Sequence, residues 1–151
     1  MMENSDISYV ICIAATPERL WAALTNPDAL RAYWGDIRSE WTTGSRVEEV
    51  SEEGELLWEG TVLASDTPRS LSFTFGVAGS EEKPTKVSFE IAAPVSKVKP
   101  SASMVRLGVT QAGFAEGSKL RSDCERAWTE ILSSIKSYIE TGTALPFDWT
   151  H

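Results

Sequence analysis

The sequence predicts an α+β fold in which a curved antiparallel sheet of about six strands wraps around one long helix. Three observations lead to this prediction. Two short helical stretches follow a first strand, a series of alternating apolar segments comes next, and one long amphipathic segment comes near the end. With 151 residues the chain can bury a sizeable core, so we expect a single domain over residues 1–151, with 143–151 as a tail.

The first strand and two helices are predicted over the first 35 residues. Residues 7–14 read ISYVICIA, and β-branched side chains of this kind favour a strand. Two helices follow, because Thr16-Pro17 and Asn26-Pro27 each combine a capping side chain with proline at the first helical position. Gly35 would end the second helix in the left-handed conformation. Both helices have about two turns and are too short to be stable alone, so they must pack on something larger.

The middle of the chain predicts a meander of strands. Turn signals at Thr43-Gly44 and Glu53-Gly54 separate the first of them. Alternation of apolar and polar side chains gives each strand one buried and one wetted face. The same alternation predicts that its charged side chains point away from the apolar face, namely Glu48, Glu49, Glu59, Glu90 and Arg106. The predicted strands cover residues 36–41, 45–51, 55–65, 69–75, 85–94 and 103–114.

Residues 118–142 form the longest predicted element, an amphipathic helix. Ser118 is the candidate cap and Gly142 the candidate C-terminal stop. Apolar residues recur at a spacing of three and four, which gives the helix one apolar face that must lie on the sheet. That face consists of Leu120, Cys124, Ala127, Trp128, Ile131, Leu132, Ile135, Tyr138 and Ile139.

Composition excludes several classes of partner. Fourteen basic and 22 acidic residues give a net charge of -8, which would repel nucleic acid and anionic membranes. Neither a signal peptide nor a membrane span is apparent, so we expect a cytosolic protein. In that reducing compartment Cys12 and Cys124, which lack CxxC spacing, are predicted to be two buried thiols.

The residue list also excludes most catalytic machinery. The only histidine is His151, at the end of the chain, where it is poorly suited to act as the oriented base of a catalytic triad. The sequence contains no HExxH, paired CxxC or calcium-loop pattern, and neither a dinucleotide nor a phosphate-binding glycine motif. We therefore expect no metal and no cofactor.

Aromatic residues are the most informative feature that remains. The chain has six tryptophans, five phenylalanines and three tyrosines. Core packing is sufficient to explain Trp21, Trp58 and Trp128. By contrast, Trp34 and Trp41 flank the turn between the small helices and the sheet, where rings can either seal the core or border a pocket. A mostly apolar cavity is the usual form of a small-molecule site.

Four segments resemble the activator of heat-shock protein 90 ATPase homologue (AHSA-type) family, within the START-like (SRPBCC, Bet v-like) superfamily. In chain order they are ATPERLWAALTNPDALRAYWG, WEGTVLASDTPRSLSFTF, VTQAGF and AWTEILSSIKSYIETG. The resemblance implies the helix-grip fold, with six to seven strands around the C-terminal helix and the two capped helices closing one end. It also implies a cavity between sheet and helix.

The sequence departs from this family at two places. Gln111 stands in the last strand where members often carry histidine or another polar residue, so a histidine-dependent role is missing there. The connection VSKVKPSAS (95–103) is longer and more basic than expected, and we interpret it as a surface loop rather than a flap. The superfamily includes polyketide cyclases and lipid carriers, so the resemblance fixes no activity.

Three hypotheses for the function follow. The first is non-enzymatic binding of an apolar or amphipathic small molecule, which requires an open cavity between the sheet and the C-terminal helix. The second is a cyclase- or hydratase-like enzyme that uses Glu59, Arg106 or Gln111 in the same cavity. The third is a protein-interaction module, such as a chaperone regulator acting through the Phe147–Trp149 tail, with a homodimer also possible. The predicted ligand-binding residues are Trp34, Trp41, Phe73, Phe75, Phe89 and Trp128.

Overall fold

A computed structural model describes residues 6–93 and 103–147 of the chain. These residues form seven strands and three helices, as the predicted α+β fold requires. Most of the 95–103 connection, together with Trp149 and His151, lies outside the described residues. The elements are β1 (Ile7–Ile13), α1 (Pro17–Thr25), α2 (Pro27–Tyr33), β2 (Asp36–Ser39), β3 (Arg46–Val50), β4 (Leu56–Asp66), β5 (Ser70–Val77), β6 (Thr85–Ala92), β7 (Val105–Ala112) and α3 (Leu120–Thr141).

The strands form one antiparallel sheet in the order β1-β7-β6-β5-β4-β3-β2. Strands β2 to β7 are neighbours in chain order, in line with the predicted meander, whereas β1 pairs with β7 and places Ile7 opposite Gln111. The ladder shifts register between Glu49 and Val50, and again along β4 between Val62 and Ala64. Such irregularities bend the strands that contain them and contribute to the curvature of the sheet.

The two short helices begin as predicted. The Thr16 hydroxyl accepts a hydrogen bond from a backbone N–H three residues later, and Asn26 caps α2 through its side-chain oxygen at 2.8 Å. The predicted end of α2 is wrong. Trp34 is the C-terminal cap, with φ of -129°, and Gly35 does not have a positive φ. Gly35 has a different role, which depends on a neighbouring strand and is described below.

Helix α3 ends as predicted but begins differently. Gly142 takes the left-handed conformation with φ of 85° and accounts for the stop. The predicted cap is wrong, because the residue before the helix is Lys119, which makes no side-chain capping bond. The hydroxyl of Ser118 instead donates a hydrogen bond to the carboxylate of Glu82, in the loop before β6. Ser118 therefore bonds to a residue from a distant loop and does not cap the helix.

Polar contacts fix α3 against β1 and the residues that follow it. The ammonium of Lys136 donates to the carbonyl of Cys12 at 2.7 Å, and the carboxylate of Glu140 accepts from the backbone N–H of Ala14 at 2.8 Å. Lys136 and Glu140 also form an ion pair at 2.7 Å. These contacts hold one side of the helix at the sheet edge, while its apolar face lies over the core.

The two cysteines differ in burial. Cys124 is buried on α3 as predicted, but Cys12 is exposed, so that part of the prediction is wrong. Cys12 lies between Ile11 and Ile13, whose side chains point into the core, and alternation therefore turns Cys12 outward. Within residues 6–93 and 103–147, no helix is long and apolar enough to cross a membrane.

Candidate functional site

Seven aromatic rings form one connected group on the inner face of the sheet, which we call the ring cluster. Trp58 lies at its centre, with ring centroids 4.7 Å from Phe75, 5.7 Å from Phe73 and 6.2 Å from Trp34. These separations are typical of favourable aromatic pairs. The ring cluster comprises Trp34, Trp41, Trp58, Phe73, Phe75, Phe89 and Trp128.

The ring cluster also joins the sheet to α3. Trp128 projects from α3 and meets Phe89 of β6 edge-to-face at 5.7 Å. The same tryptophan meets Trp34, at the end of α2, at 5.5 Å and also edge-to-face. One ring from the helix therefore touches rings from both the sheet and the short helices. All six residues predicted to contact a ligand lie in this cluster, and Trp58 is the seventh member.

Trp41 connects the ring cluster to a surface groove. Its ring meets Phe73 edge-to-face at 6.0 Å, and it also lines an open groove of about 560 Å³ between α1 and the loop after β2. Its φ of 57° is unusual for a bulky residue and indicates local backbone strain. The Ser39 hydroxyl accepts a hydrogen bond from the Trp41 N–H at 3.0 Å. The groove is lined by Trp21, Thr25, Ser39, Glu40, Trp41, Thr42, Thr43, Ser65 and Thr67.

The open cavity that the small-molecule hypothesis requires is not seen at the ring cluster, because the rings themselves occupy that place. Centroids 4.7 to 6.2 Å apart mean that each contacting pair leaves no room for a ligand between its two rings. Trp34, Trp41 and Phe75 are partly buried, whereas the other members are almost fully buried. A ligand at this site would therefore have to displace rings, and the partly buried ones are the easiest to move.

One carboxylate, that of Glu49, lies at the edge of the ring cluster. Glu49 is opposite Trp58 in the β3–β4 ladder, and its Oε1 accepts a hydrogen bond from the Trp58 indole N–H at 2.7 Å. Both side chains point to the inner face because Val47, two residues before Glu49, is fully buried there. Glu49 thus anchors the Trp58 end of the ring cluster.

Burial raises the pKa of the Glu49 carboxyl above its usual value. The hydrogen bond from Trp58 lowers that pKa in part, and the nearby Asp36 carboxylate adds to the increase. The pKa of Asp36 is itself lowered by its hydrogen bond from Arg38, at 2.9 Å, so Asp36 carries its negative charge at neutral pH. Glu49 therefore lies in a locally negative, partly desolvated environment.

Gly35 makes room for this carboxylate. A Cβ atom at position 35 would lie 2.3 Å from Glu49 Oε2 and 2.9 Å from its Cδ, which no real side chain tolerates without movement. Gly35 thus serves this close approach and not a left-handed turn, and a larger residue would require the Glu49 carboxylate to shift. No donor among residues 6–93 and 103–147 bonds to Oε2, yet this oxygen is not a sealed, unpaired atom. Oε2 is therefore within reach of solvent.

Gln111 is a second polar residue inside the core, and both ends of its amide have hydrogen-bond partners. The Gln111 amide donates to the Thr85 hydroxyl at 2.9 Å and accepts from the Trp128 indole N–H at 2.8 Å. Burial raises the pKa of the adjacent Cys124 thiol to about 11, so this cysteine remains a neutral thiol at physiological pH. These groups orient Trp128 and hold α3 on the sheet, and none is poised as a nucleophile.

The charged strand residues mostly point outward, as predicted. Glu59, Glu90 and Arg106 are exposed, and Glu59 forms an ion pair with Arg46 on the outer face. The prediction is wrong for Glu49, which faces inward. Strict alternation from the buried Val47 could have found it, because two adjacent residues such as Glu48 and Glu49 cannot both point to the same side. Of the groups named for the enzyme hypothesis, only Gln111 faces the interior.

The described part of the chain shows no metal centre. Within residues 6–93 and 103–147, no three histidine, cysteine, aspartate or glutamate side chains come together in a way that could hold a metal ion. The candidate site is therefore organised by aromatic surface and one carboxylate.

Residues 14–140 match the family described as Activator of Hsp90 ATPase homolog 1-like protein. The chain belongs to this family. Among curated proteins, none matches the chain in sequence. The match begins just after β1 and covers α1, α2, strands β2 to β7 and nearly all of α3, so it includes every member of the ring cluster.

Solved structures share the fold. Aha1 from Colwellia psychrerythraea, solved as a dimer, is 23% identical, with 91% of this chain and 97% of that chain covered and a TM-score of 0.74. CalU16 from Micromonospora echinospora is 16% identical, with coverages of 93% and 77% and a TM-score of 0.74. DynU16, from the dynemicin biosynthetic locus, is also 16% identical, with coverages of 98% and 52% and a TM-score of 0.81. At these identities the likeness establishes the helix-grip fold.

Proposed function

We propose that this protein binds an apolar or amphipathic small molecule in the cytosol, at the ring cluster between the sheet and α3. The observation that carries the proposal is the unbroken path of ring contacts from the groove at Trp41 to Trp128 on α3. Aromatic surface with few polar groups is typical of small-molecule sites. The proposed contacts are Trp34, Trp41, Phe73, Phe75, Phe89 and Trp128.

Binding requires that ring–ring contacts give way to ring–ligand contacts. Trp34 caps a two-turn helix and Trp41 lies in a loop, so either ring can move without breaking a strand ladder. Trp58 and Phe73 belong to paired strands and would form the fixed floor. Affinity would come from apolar surface removed from water, about 25 cal/mol for each Å². Part of this gain is offset by the loss of the original ring contacts.

Isothermal titration with decan-1-ol tests the proposal. We expect saturable binding of one molecule per chain, with a negative heat-capacity change that reports apolar burial. Trp34→Ala removes a movable, partly buried ring and should weaken binding about tenfold. The matched control is Leu63→Ala, which removes an apolar side chain that is 44% exposed on the opposite face of β4. This control should leave the dissociation constant unchanged.

Two results would contradict small-molecule binding at the ring cluster. One is the absence of any saturable heat with the wild-type chain. The other is an equal loss of affinity in Trp34→Ala and Leu63→Ala, since that would place the alcohol on nonspecific apolar surface. Circular dichroism of both variants, measured beforehand, separates lost binding from lost folding.

A second proposal is a protein-binding role, in which the chain regulates a chaperone ATPase or pairs with a second copy. It is supported by the description of the family and by a relative solved as a dimer. The test is ATP turnover by a purified Hsp90-class chaperone with increasing amounts of this protein, alongside the mass of the protein in solution. Unchanged turnover and a monomeric mass at every concentration would contradict this role.

A further inference from the structure

The carboxylate of Glu49 is placed like the part of a binding site that recognises a ligand's polar end. It lies at the rim of the ring cluster, bonded through Oε1 to the central ring of Trp58. Oε2 has no donor among residues 6–93 and 103–147 and is not sealed from solvent. Gly35 packs directly against this oxygen, because a Cβ atom at position 35 would lie only 2.3 Å from it. The geometry therefore combines apolar walls with one unoccupied acceptor.

The charges around Glu49 Oε2 favour a positively charged ligand head group over a negatively charged one. Asp36 is ionised and close enough to raise the pKa of Glu49, so the two carboxylates create a negative local potential. Arg38 pairs with Asp36 at 2.9 Å and Arg31 also acts on Asp36, but both guanidinium groups are more than half exposed, so they offset only part of that potential. The net charge of -8 acts in the same direction. An anionic head group would be repelled here.

The neighbouring rings add to this selectivity. Trp34 and Trp58 stack at 6.2 Å, and Phe75 is 4.7 Å from Trp58. The faces of such rings attract cations, most strongly when the cation is shielded from water. A positively charged head group near Glu49 would gain both an ion pair and ring contacts, whereas a hydroxyl would gain only a hydrogen bond.

We propose that Glu49 is the residue that determines ligand specificity, and that the ligand is an amphiphile with an ammonium head group, held by Glu49 Oε2 while its apolar part contacts the ring cluster. This inference rests on the small-molecule binding proposed above and names the ligand class for that same site. It assigns no reaction to Glu49.

Three ten-carbon probes with different head groups test the inference: decylamine, decan-1-ol and decanoate. Binding is measured by calorimetry at about pH 8, well above the ordinary pKa of a carboxyl group and below that of an alkylamine. Because the tails are identical, differences in affinity report the head group. We expect the wild-type chain to bind decylammonium about tenfold more tightly than decan-1-ol, and decanoate more weakly than either.

Glu49→Gln should abolish the preference for the ammonium. The amide can still accept the bond from Trp58, so the fold should be retained, and decan-1-ol measured on the same variant gives the reference for the loss of ammonium affinity. The matched control is Glu48→Gln, which makes the same change in net charge on the outer face of the same strand, where Glu48 pairs with Arg46. It should leave the affinity for decylammonium within about twofold.

The outcomes separate the two proposals. If all three probes bind equally, or if Glu49→Gln and Glu48→Gln lower decylammonium affinity alike, the role of Glu49 is overturned while binding at the ring cluster stands. If decanoate binds most tightly, the assigned head-group charge is wrong. If no probe binds the wild-type chain, both the proposed small-molecule binding and the specificity assigned to Glu49 are contradicted.

Discussion

Glu49 shows how one inward-facing side chain changes the chemistry of an otherwise apolar site. Its carboxylate lies among rings, is bonded to Trp58, and depends on the missing side chain of Gly35. Burying a charge costs free energy unless partners compensate, and here a single indole N–H compensates only in part. The ammonium head group proposed above would add to that compensation.

The pKa of Glu49 predicts a specific pH dependence of stability. Because this pKa is raised in the folded protein, the native state binds the proton more tightly than the unfolded chain does. That stabilisation is complete below the unfolded pKa of about 4.3 and is lost as pH rises through the higher folded value. Glu49→Gln cannot titrate, so its melting temperature relative to wild type should increase from about pH 4 to pH 7.

Thermal unfolding of both proteins across this pH range provides the measurement. Glu48→Gln is measured alongside to correct for the change in net charge. A difference between Glu49→Gln and wild type that stays constant with pH would show that Glu49 is solvated like a surface carboxylate in the native state.

Within single helices, the local sequence correctly predicted the features that depend on contacts within one turn. The capping side chains Thr16 and Asn26 and the stop at Gly142 act within one turn, and the structure has all three as predicted. The roles of Gly35 and Ser118 were not predictable, because each depends on a residue from a distant strand or loop. The local sequence pattern does not show which side chain from a distant strand or loop will contact a given residue.

The same distinction applies to the candidate site. Alternation along β5 and β6 correctly placed Phe73 and Phe89 on the buried face. The contact between Trp128 and Trp34 could not be predicted, because it depends on how α3 and α2 meet across the sheet. Whether the rings pack together or leave a cavity depends on their side-chain rotamers, and the sequence pattern does not predict these.

Strand β4 depends on one close approach at Gly60. A Cβ atom there would lie 1.7 Å from the backbone oxygen of Thr74 on β5, and a backbone atom cannot move aside cheaply. At this point the Thr61 N–H bonds to the Thr74 hydroxyl at 2.9 Å. We expect Gly60→Ala to lower the free energy of unfolding by about 3 kcal/mol or more, because β4 and β5 must separate locally.

Gly108→Ala is the matched control for Gly60→Ala. Gly108 also lies within a paired strand, but an added Cβ there would meet its nearest atom at an ordinary 3.9 Å. Its expected change in the free energy of unfolding is below about 1 kcal/mol. Urea denaturation of the two variants tests this difference, and equal effects would show that the close approach at Gly60 relaxes without cost.

For the whole molecule, the ring cluster is the contact region between sheet, short helices and long helix. Phe73 is 1% exposed and touches Trp41, Trp58 and Phe89. Removing its ring should lower the free energy of unfolding by about 3 to 5 kcal/mol, since a large core side chain leaves a cavity behind. Phe73→Ala should also loosen contacts in all three layers, because its neighbours are themselves linked to α2 and α3.

Chemical denaturation followed by tryptophan fluorescence measures this change. Leu57→Ala, which alters a side chain 40% exposed on the outer face, should change the free energy of unfolding by no more than about 0.5 kcal/mol. If Phe73→Ala is as mild as this control, the rings must repack around the missing one, and the cluster would be more pliable than its contacts indicate.

The pairing of β1 with β7 has a consequence for how the protein is made. Strand β1 can pair with its partner only after about a hundred more residues have been synthesised, since Ile7 pairs with Gln111. Until then an apolar strand has no permanent neighbour, and folding must wait for a long-range closure that is intrinsically slow. Strand β1 therefore has its edge unpaired until β7 has been made, and β7 is the strand that ends this period.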